Sequence, residues 1–444
     1  MKKYKILLVG LGSIGKNLAK SLTDKGYNIN IWDKDQKKTF ALCKDLRIDY
    51  KKNILKSIKK KNTIIILAIP AGLAVDSFIQ NNTKYFKNKS YIVDIGNSHP
   101  KDTISRFNYL KKNKIKYISC GFSGGAHGAR TNASLMVSCD VREFNFLKKL
   151  FLDIIGKNNK KFLKRIGENP NSGNYTKIVH NGIEYGIMQA IADYYLIMKE
   201  VLKLNNDEII KEFTKLQKMI GNSFLIRITK NIIKESKFKK SLISNILDIV
   251  DDNNTGGWAV SLAADCKFPI PAISSSVEAR FISRQKRIFK NFKIKNKDKI
   301  ELHEIKNKML DVLNLAIIAS YLQGIGLLQE IINKKKIKIN LKYVLLSWMN
   351  NSIIRSDLLK KYYSQIKNNK ININSIFKKD FSTTKNKDLL DVLVFLTKNN
   401  LALTSISSLF TWTNLLVKKK NISFSLIQKQ RNYFGGHKLR FHKG

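Results

Sequence analysis

A chain of 444 residues with 43% hydrophobic and 10% aromatic side chains can hold two or three cored domains and is too apolar to stay disordered. Its formal charge of +49, from 82 Lys and Arg against 33 Asp and Glu, raises nucleic acid as a partner. The basic residues are spread evenly among many Asn and Ile, without helix-turn-helix, RRM or zinc-finger spacing and without interleaved aromatics. They read as compositional drift that still steers small anions, and no specific nucleic-acid partner is expected.

The chain opens with Met1-Lys2-Lys3-Tyr4 and an apolar run, Lys5–Val9, that Gly10 and Gly12 interrupt at once, so a strand is expected there and not a signal peptide. A helix over Ile14–Lys25 follows, then strands at Asn28–Trp32, Thr63–Ala68 and Tyr91–Asp94, a helix over Lys101–Asn113 and a strand at Lys116–Ser119. This alternation is the pattern of βαβ units. After about residue 172 the apolar period lengthens to three or four, predicting helices over Asn174–Lys203, Asp207–Glu235, Lys306–Asn333 and Leu341–Ser364. The most apolar stretch, Met309–Ile332, contains Asp311, Asn314, Gln323, Gln329 and Glu330, and reads as a buried helix rather than a membrane span. The expected architecture is an α/β Rossmann-type dinucleotide-binding domain (1–172), a large all-α domain (173–430) and a short basic tail (431–444). The cysteines, Cys43, Cys120, Cys139 and Cys266, are scattered without a CxxC pair, which suits a reducing cytoplasm and offers no zinc site.

Val9-Gly10-Leu11-Gly12-Ser13-Ile14-Gly15 is a GxGxxG that follows a strand and opens a helix. Gly10 permits the tight turn, Gly12 lets a pyrophosphate approach the backbone, and Gly15 allows close packing at a helix N-terminus that favours negative charge. The second strand ends at Asp33, near the spacing at which an acid hydrogen-bonds the adenosine ribose. A glycine-rich turn without a ligand is the alternative.

Within Lys177-Ile178-Val179-His180-Asn181-Gly182-Ile183-Glu184-Tyr185, residues Lys177, Asn181 and Glu184 recur at i, i+4 and i+7 and share one helix face, with His180 beside them. A lysine next to a carboxylate can act as base and acid where burial lowers its pKa. A solvated, salt-bridged face uses the same residues, and spacing alone leaves both readings open.

The Lys177–Tyr185 stretch resembles the signature of 6-phosphogluconate dehydrogenases, and other segments resemble that family in order along the chain. Gly121-Phe122-Ser123-Gly124-Gly125, with Gly128-Ala129-Arg130 and Ser134-Leu135-Met136, is similar to its substrate loop, and Asp94-Ile95-Gly96-Asn97-Ser98 to the segment reaching substrate and nicotinamide. Glu278-Ala279-Arg280, Ile353-Ile354-Arg355-Ser356 and Gln430-Arg431-Asn432-Tyr433-Phe434-Gly435-Gly436-His437 fit further family segments. The resemblance implies metal-free oxidative decarboxylation of 6-phosphogluconate to ribulose 5-phosphate in the pentose phosphate pathway and gluconate utilization, with Lys177 as base and Glu184 as acid. It implies a dinucleotide held by Gly10, Leu11, Gly12, Ser13, Ile14, Gly15, Asp33, Lys34, Asp35, Ile69, Pro70, Ala71 and Asn97. Asn97, Ser123, Gly124, Gly125, His180 and Asn181 would hold the sugar acid. Tyr185, Asn253, Arg280 and Arg431 would take the phosphate position, His437 closing the pocket. Arg431 and His437 would come from the partner's tail in a homodimer.

The chain departs from the family at several of these positions. Where the NADP-using members carry Asn-Arg and then Ser or Thr, this sequence has Asp33-Lys34-Asp35, and a customary lysine is Pro70. Two carboxylates there disfavour a 2′-phosphate, with Lys34 and Lys38 as the compensating charges, so NAD and NADP are both carried forward. The family's first lysine in Lys-Gly-Thr-Gly-Lys-Trp is Asn253, and a Glu-Glu pair is Ala126-His127. Loss of one phosphate contact costs about 1.5–3 kcal/mol and would raise KM while leaving the chemistry. The rival readings are another β-hydroxyacid dehydrogenase, which would lack the Arg431–His437 tail, and a weakened or inactive basic relative acting as a binding protein.

Overall fold

The computed structural model describes residues 4–57, 62–86, 89–238, 243–251, 254–285, 303–381, 383–401, 403–418 and 420–441. Strands β1 (Lys5–Val9), β2 (Ile29–Trp32), β3 (Thr63–Leu67), β4 (Tyr91–Asp94), β5 (Lys116–Ser123), β6 (Ser134–Ser138) and β7 (Arg165–Gly167) form one sheet in the order β2-β1-β3-β4-β5-β6-β7. All neighbours are parallel except β5 and β6. Side chains alternate between faces: Ile6, Leu8, Ile64 and Ile66 enter one apolar core and Leu7, Val9, Ile65 and Leu67 another. Burial on both faces is why these strands read as continuous apolar runs.

Helices α1 (Ser13–Asp24), α2 (Gln36–Leu46), α3 (Ile54–Ser57), α4 (Leu73–Asn82), α5 (Pro100–Lys112), α6 (Gly125–Arg130) and α7 (Val141–Ile155) belong to the sheet domain. The order reverses at β1, which sits between β2 and β3, so a crevice opens at the carboxyl ends of β1 and β3 where α/β sheets bind ligands. The expected strands and helices of this half are present within a residue or so, except that β5 runs on to Ser123. Strands β6 and β7 lie outside the expected set. Ser134, Leu135 and Met136, grouped by resemblance with the substrate loop, are fully enclosed in β6, because their side chains face the cores.

The helical part comprises α8 (Ser172–Leu196), α9 (Asn206–Ile220), α10 (Phe224–Phe238), α11 (Thr255–Asp265), α12 (Pro271–Gln285), α13 (His303–Lys334), α14 (Leu341–Met349), α15 (Asp357–Ser364), α16 (Ile373–Asp380), α17 (Thr383–Lys398), α18 (Thr404–Val417) and α19 (Ile422–Gly435). Helix α13 is long and apolar enough to cross a membrane, but most of it is enclosed, packed along α8 and α17. Two expected helices are broken. Gly221, at φ 83°, separates α9 from α10, and any Cβ there would sit 2.4 Å from that of Asp357. The Leu341–Ser364 stretch breaks over 350–356, where Asn351 is left-handed at φ 53° and the Ser352 hydroxyl turns back onto the Trp348 carbonyl. The tail expected from residue 431 begins inside α19, which continues to Gly435.

Candidate active site

The glycine loop has the geometry its spacing demands. Gly10 has φ 92°, and a Cβ on Gly15 would lie 1.8 Å from the Gly10 carbonyl oxygen, so both turn and helix entry require glycine. A Cβ on Gly12 would meet nothing within 4 Å, and no side chain caps α1. Open space in front of an uncapped helix N-terminus fits a pyrophosphate. Leu11 and Ser13 complete this turn.

Asp33 is tied to the same loop: its Oδ2 accepts the Leu11 amide at 2.7 Å and its Oδ1 the Asp35 amide at 2.9 Å. Asp35 caps α2, accepting from the Lys37 and Lys38 amides, and lies 3.8 Å from the Lys38 amine. Both carboxylates thus have structural duties that the sequence did not disclose. Lys34 is exposed at the same rim.

A cleft of about 800 Å³ runs from this crevice to α8. Ile14, Ile69, Pro70, Ala71 and Asn97 line it on the sheet side, and Lys177, Asn181, Glu184 and Tyr185 on the α8 side. Ser123, Gly124 and Gly125 close the end between them, and Asn254, Trp258 and Ile353 also reach it. A single wall of α8 therefore presents the i, i+4, i+7 set toward the glycine loop, which excludes the solvated-face reading.

Burial decides the chemistry of that wall. Desolvation lowers the Lys177 pKa to about 8 from an ordinary 10.5, with Glu184 opposing the fall. Desolvation likewise raises that of Glu184, against the pull of Lys177 and Arg280. His180, fully enclosed, is held neutral by desolvation and by the Lys177 charge, against a hydrogen bond with Asn181.

A hydrogen-bond chain fixes its tautomer. Asn181 Nδ2 donates to Thr255 Oγ1 at 2.9 Å, leaving Asn181 Oδ1 to face His180 Nδ1 at 3.1 Å. Nδ1 therefore carries the proton, and Nε2 accepts from the Ser123 hydroxyl at 3.0 Å. Ser123 Oγ in turn accepts the Ile353 amide at 3.1 Å. The segment 350–356 thereby joins the site, a role its helical periodicity concealed.

A second network shapes the Asn97 loop. Asp94 Oδ1 accepts the Gly96 amide, and its Oδ2 accepts the Ser98 and Tyr117 hydroxyls at 2.7 Å each. Arg106, buried, donates to Asp76 Oδ1 at 2.6 Å, Ser98 Oγ at 2.9 Å and the Gly72 carbonyl at 3.1 Å. Asn174 donates to the Ser98 carbonyl and accepts from Ser119. Sequence reading missed Arg106, Tyr117, Asn174 and Thr255, since each acts through a neighbour distant in the chain.

Other expected residues lie elsewhere. His180 reaches the cleft only through Ser123 and Asn181, because its ring is sealed beneath them. Arg280 does not line the cleft: its guanidinium stacks 3.5 Å over the Tyr185 ring and donates to the Asp251 carbonyl. Arg431 and His437 lie apart from their own chain's cleft, on or just past α19, which buries no residue. Asn253 lies outside the described residues. Among the described residues, no cluster of three or more His, Cys, Asp or Glu is placed to hold a metal.

Family profiles match both halves: "NAD binding domain of 6-phosphogluconate dehydrogenase" over residues 5–164 and "6-phosphogluconate dehydrogenase, C-terminal domain" over 173–443. The decarboxylating 6-phosphogluconate dehydrogenase of Buchnera aphidicola subsp. Acyrthosiphon pisum is 33% identical, across 98% of this chain and 96% of its own length. The Plasmodium falciparum 6-phosphogluconate dehydrogenase, solved in its apo form and with NADP+ and 6-phosphogluconate, superposes with a TM-score of 0.87. It is 30% identical over 99% of this chain and 98% of that one. A Mycobacterium tuberculosis 3-hydroxyisobutyrate dehydrogenase, at 15% identity and a TM-score of 0.51, shares the fold over 64% of this chain and 94% of its own.

Proposed function

The chain belongs to the 6-phosphogluconate dehydrogenase family, and on that premise we propose how its cleft carries out oxidative decarboxylation of 6-phosphogluconate to ribulose 5-phosphate, with nicotinamide dinucleotide reduction, in the pentose phosphate pathway. The observation that carries the reading is Lys177: a buried amine with its pKa near 8, facing one cleft with Glu184, Asn97 and Ile14 of the glycine-loop segment.

When bound, the dinucleotide supplies the acceptor for the hydride that leaves C3. Lys177, neutral, takes the proton of the C3 hydroxyl. The resulting ammonium returns a proton to the carbonyl oxygen as carbon dioxide departs and the enediol forms. Glu184, whose pKa burial raises, donates a proton to the carbon that lost carbon dioxide, while Lys177, neutral again, takes the proton of the enol hydroxyl, which leaves the ketone. Asn97, Ser123, Gly124, Gly125 and Asn181 orient the carboxylate and hydroxyls. Tyr185, with Arg280 stacked behind it, faces the phosphate, and the partner's Arg431 supplies the fixed fork of donors.

For the cofactor, the pattern at Asp33 and Asp35 supports a relaxed preference in which NAD serves beside NADP. Two carboxylates follow the second strand and would repel a 2′-phosphate there, and the exposed Lys34 and Lys38 offset them. The working unit is a homodimer. Helix α19 leaves Ile422, Phe424, Leu426, Tyr433 and Phe434 exposed, and such a face on a helix with no buried residue calls for a second subunit. Arg431 and His437 then complete the partner's cleft. The four cysteines are free and buried, which suits a cytoplasmic location.

The test is reduction of NADP and of NAD, measured separately with 6-phosphogluconate, together with carbon dioxide release. Absence of turnover with both cofactors would overturn the reading.

A further inference from the structure

Outside the cleft, two arginines converge on one ring. The Arg355 guanidinium carbon lies 3.8 Å from the centroid of Phe224 and that of Arg227 lies 5.4 Å from it. Backbone pairing holds this arrangement, because the Phe224 amide donates to the Arg355 carbonyl at 3.0 Å. Arg355 Nη1 donates to the Ser352 carbonyl at 2.7 Å, closing the 352–355 turn upon itself. Among the described residues, no carboxylate pairs with either guanidinium. Asp357, two residues along, is committed to Lys360 at 2.6 Å and to the Asn222 amide at 2.9 Å. Burial and the neighbouring Arg227 push the Arg355 pKa down to about 10.

Two like charges held at a half-buried ring repel unless an anion joins them. The ring contact and the Ser352 carbonyl hold the Arg355 fork in place, while Arg227 is exposed enough to admit a ligand beside it. A tetrahedral oxyanion can accept from two guanidinium forks at once and would offset the repulsion between them. We propose that Arg227 and Arg355 form a phosphate-class oxyanion site separate from the cleft, whose occupation firms the turn that presents the Ile353 amide to Ser123. The ligand is either free phosphate or the phosphoryl group of a small metabolite.

The experiment follows thermal unfolding of the intact protein with inorganic phosphate or glycerol phosphate, against chloride at matched ionic strength. Wild type, Arg227→Ala and Arg227→Glu are compared, so phosphate bound in the unaltered cleft contributes equally to all three. Wild type should gain about 1–2 °C more from phosphate than either variant. Arg227→Glu should melt above wild type in chloride, because its carboxylate replaces the anion beside Arg355. An equal response to glycerol phosphate assigns the site to phosphoryl groups in general, and a response to phosphate alone assigns it to the free ion. Equal gains in all three proteins with both anions would overturn the proposal.

Discussion

Ser123 Oγ lies 3.0 Å from His180 Nε2 and accepts the Ile353 amide, so one hydroxyl joins β5, α8 and the segment between α14 and α15. Its proton faces a ring nitrogen that is an acceptor only while the imidazole is neutral. Ser123→Ala strands a half-buried amide and a buried ring nitrogen together. Stability should fall by about 1–3 kcal/mol in denaturant titration, with a higher KM for the sugar acid. An unchanged midpoint would remove this network from the account.

The pH profile reports Lys177. With its pKa near 8, the amine is mostly protonated in neutral solution, so kcat/KM should climb with pH and level off above about 8. The same depression makes the folded state bind fewer protons than the unfolded chain between about 8 and 10.5, so its contribution to stability rises with pH across that window. Lys177→Met should lower kcat by roughly 10²–10⁴ while dinucleotide binding persists. Retained turnover would assign the base elsewhere.

Glu184 raises the proton affinity of Lys177. Glu184→Gln should slow kcat by roughly 10²-fold or more and move the rising limb to lower pH, since the opposing charge is gone. A slower enzyme with an unmoved limb would separate the two residues electrostatically.

Asp33→Asn removes the carboxylate proposed to face the adenosine ribose and leaves a single acceptor for two backbone amides, those of Leu11 and Asp35. The ratio of kcat/KM for NADP over NAD should rise roughly tenfold, within reach of one exposed charge pair at close range. Both KM values should also rise as the glycine loop loosens. An unaltered ratio would show that Asp33 serves the loop alone.

Arg106 ties the Gly72 turn to Ser98 and so sets the two loops, 69–72 and 95–98, that line the sheet side of the cleft. Arg106→Lys keeps the charge but not the fork, and should raise KM for the dinucleotide more than it lowers kcat. Equal loss in both would mark a purely structural role.

Mixed dimers test the tail. Lys177→Ala, inactive alone, and Arg431→Ala, weak alone when substrate is held below its KM, should recover roughly a quarter of wild-type activity under those conditions after joint refolding if the tail serves the partner, since half the dimers then hold one intact site. No recovery would place Arg431 in its own subunit's site.

The positions of the strands up to β5, the glycine loop and the shared face of Lys177, Asn181 and Glu184 were legible in sequence because each depends on local spacing. The hidden features all depended on what packs from afar. The periodicity of 341–364 reads as one helix, whereas its break brings Ile353 against Ser123, 230 residues away. Strand β6 escaped notice because Ser134–Ser138 resembles a loop until both sheet faces are covered. By itself the sequence determined which groups share a helix face and which backbone positions must be glycine. Tertiary structure alone decided that Lys177 is desolvated enough to shed its proton and that His180 is sealed and neutral. It also set Arg280 behind Tyr185, for proton affinity follows the water excluded by neighbours and not the spacing along the chain.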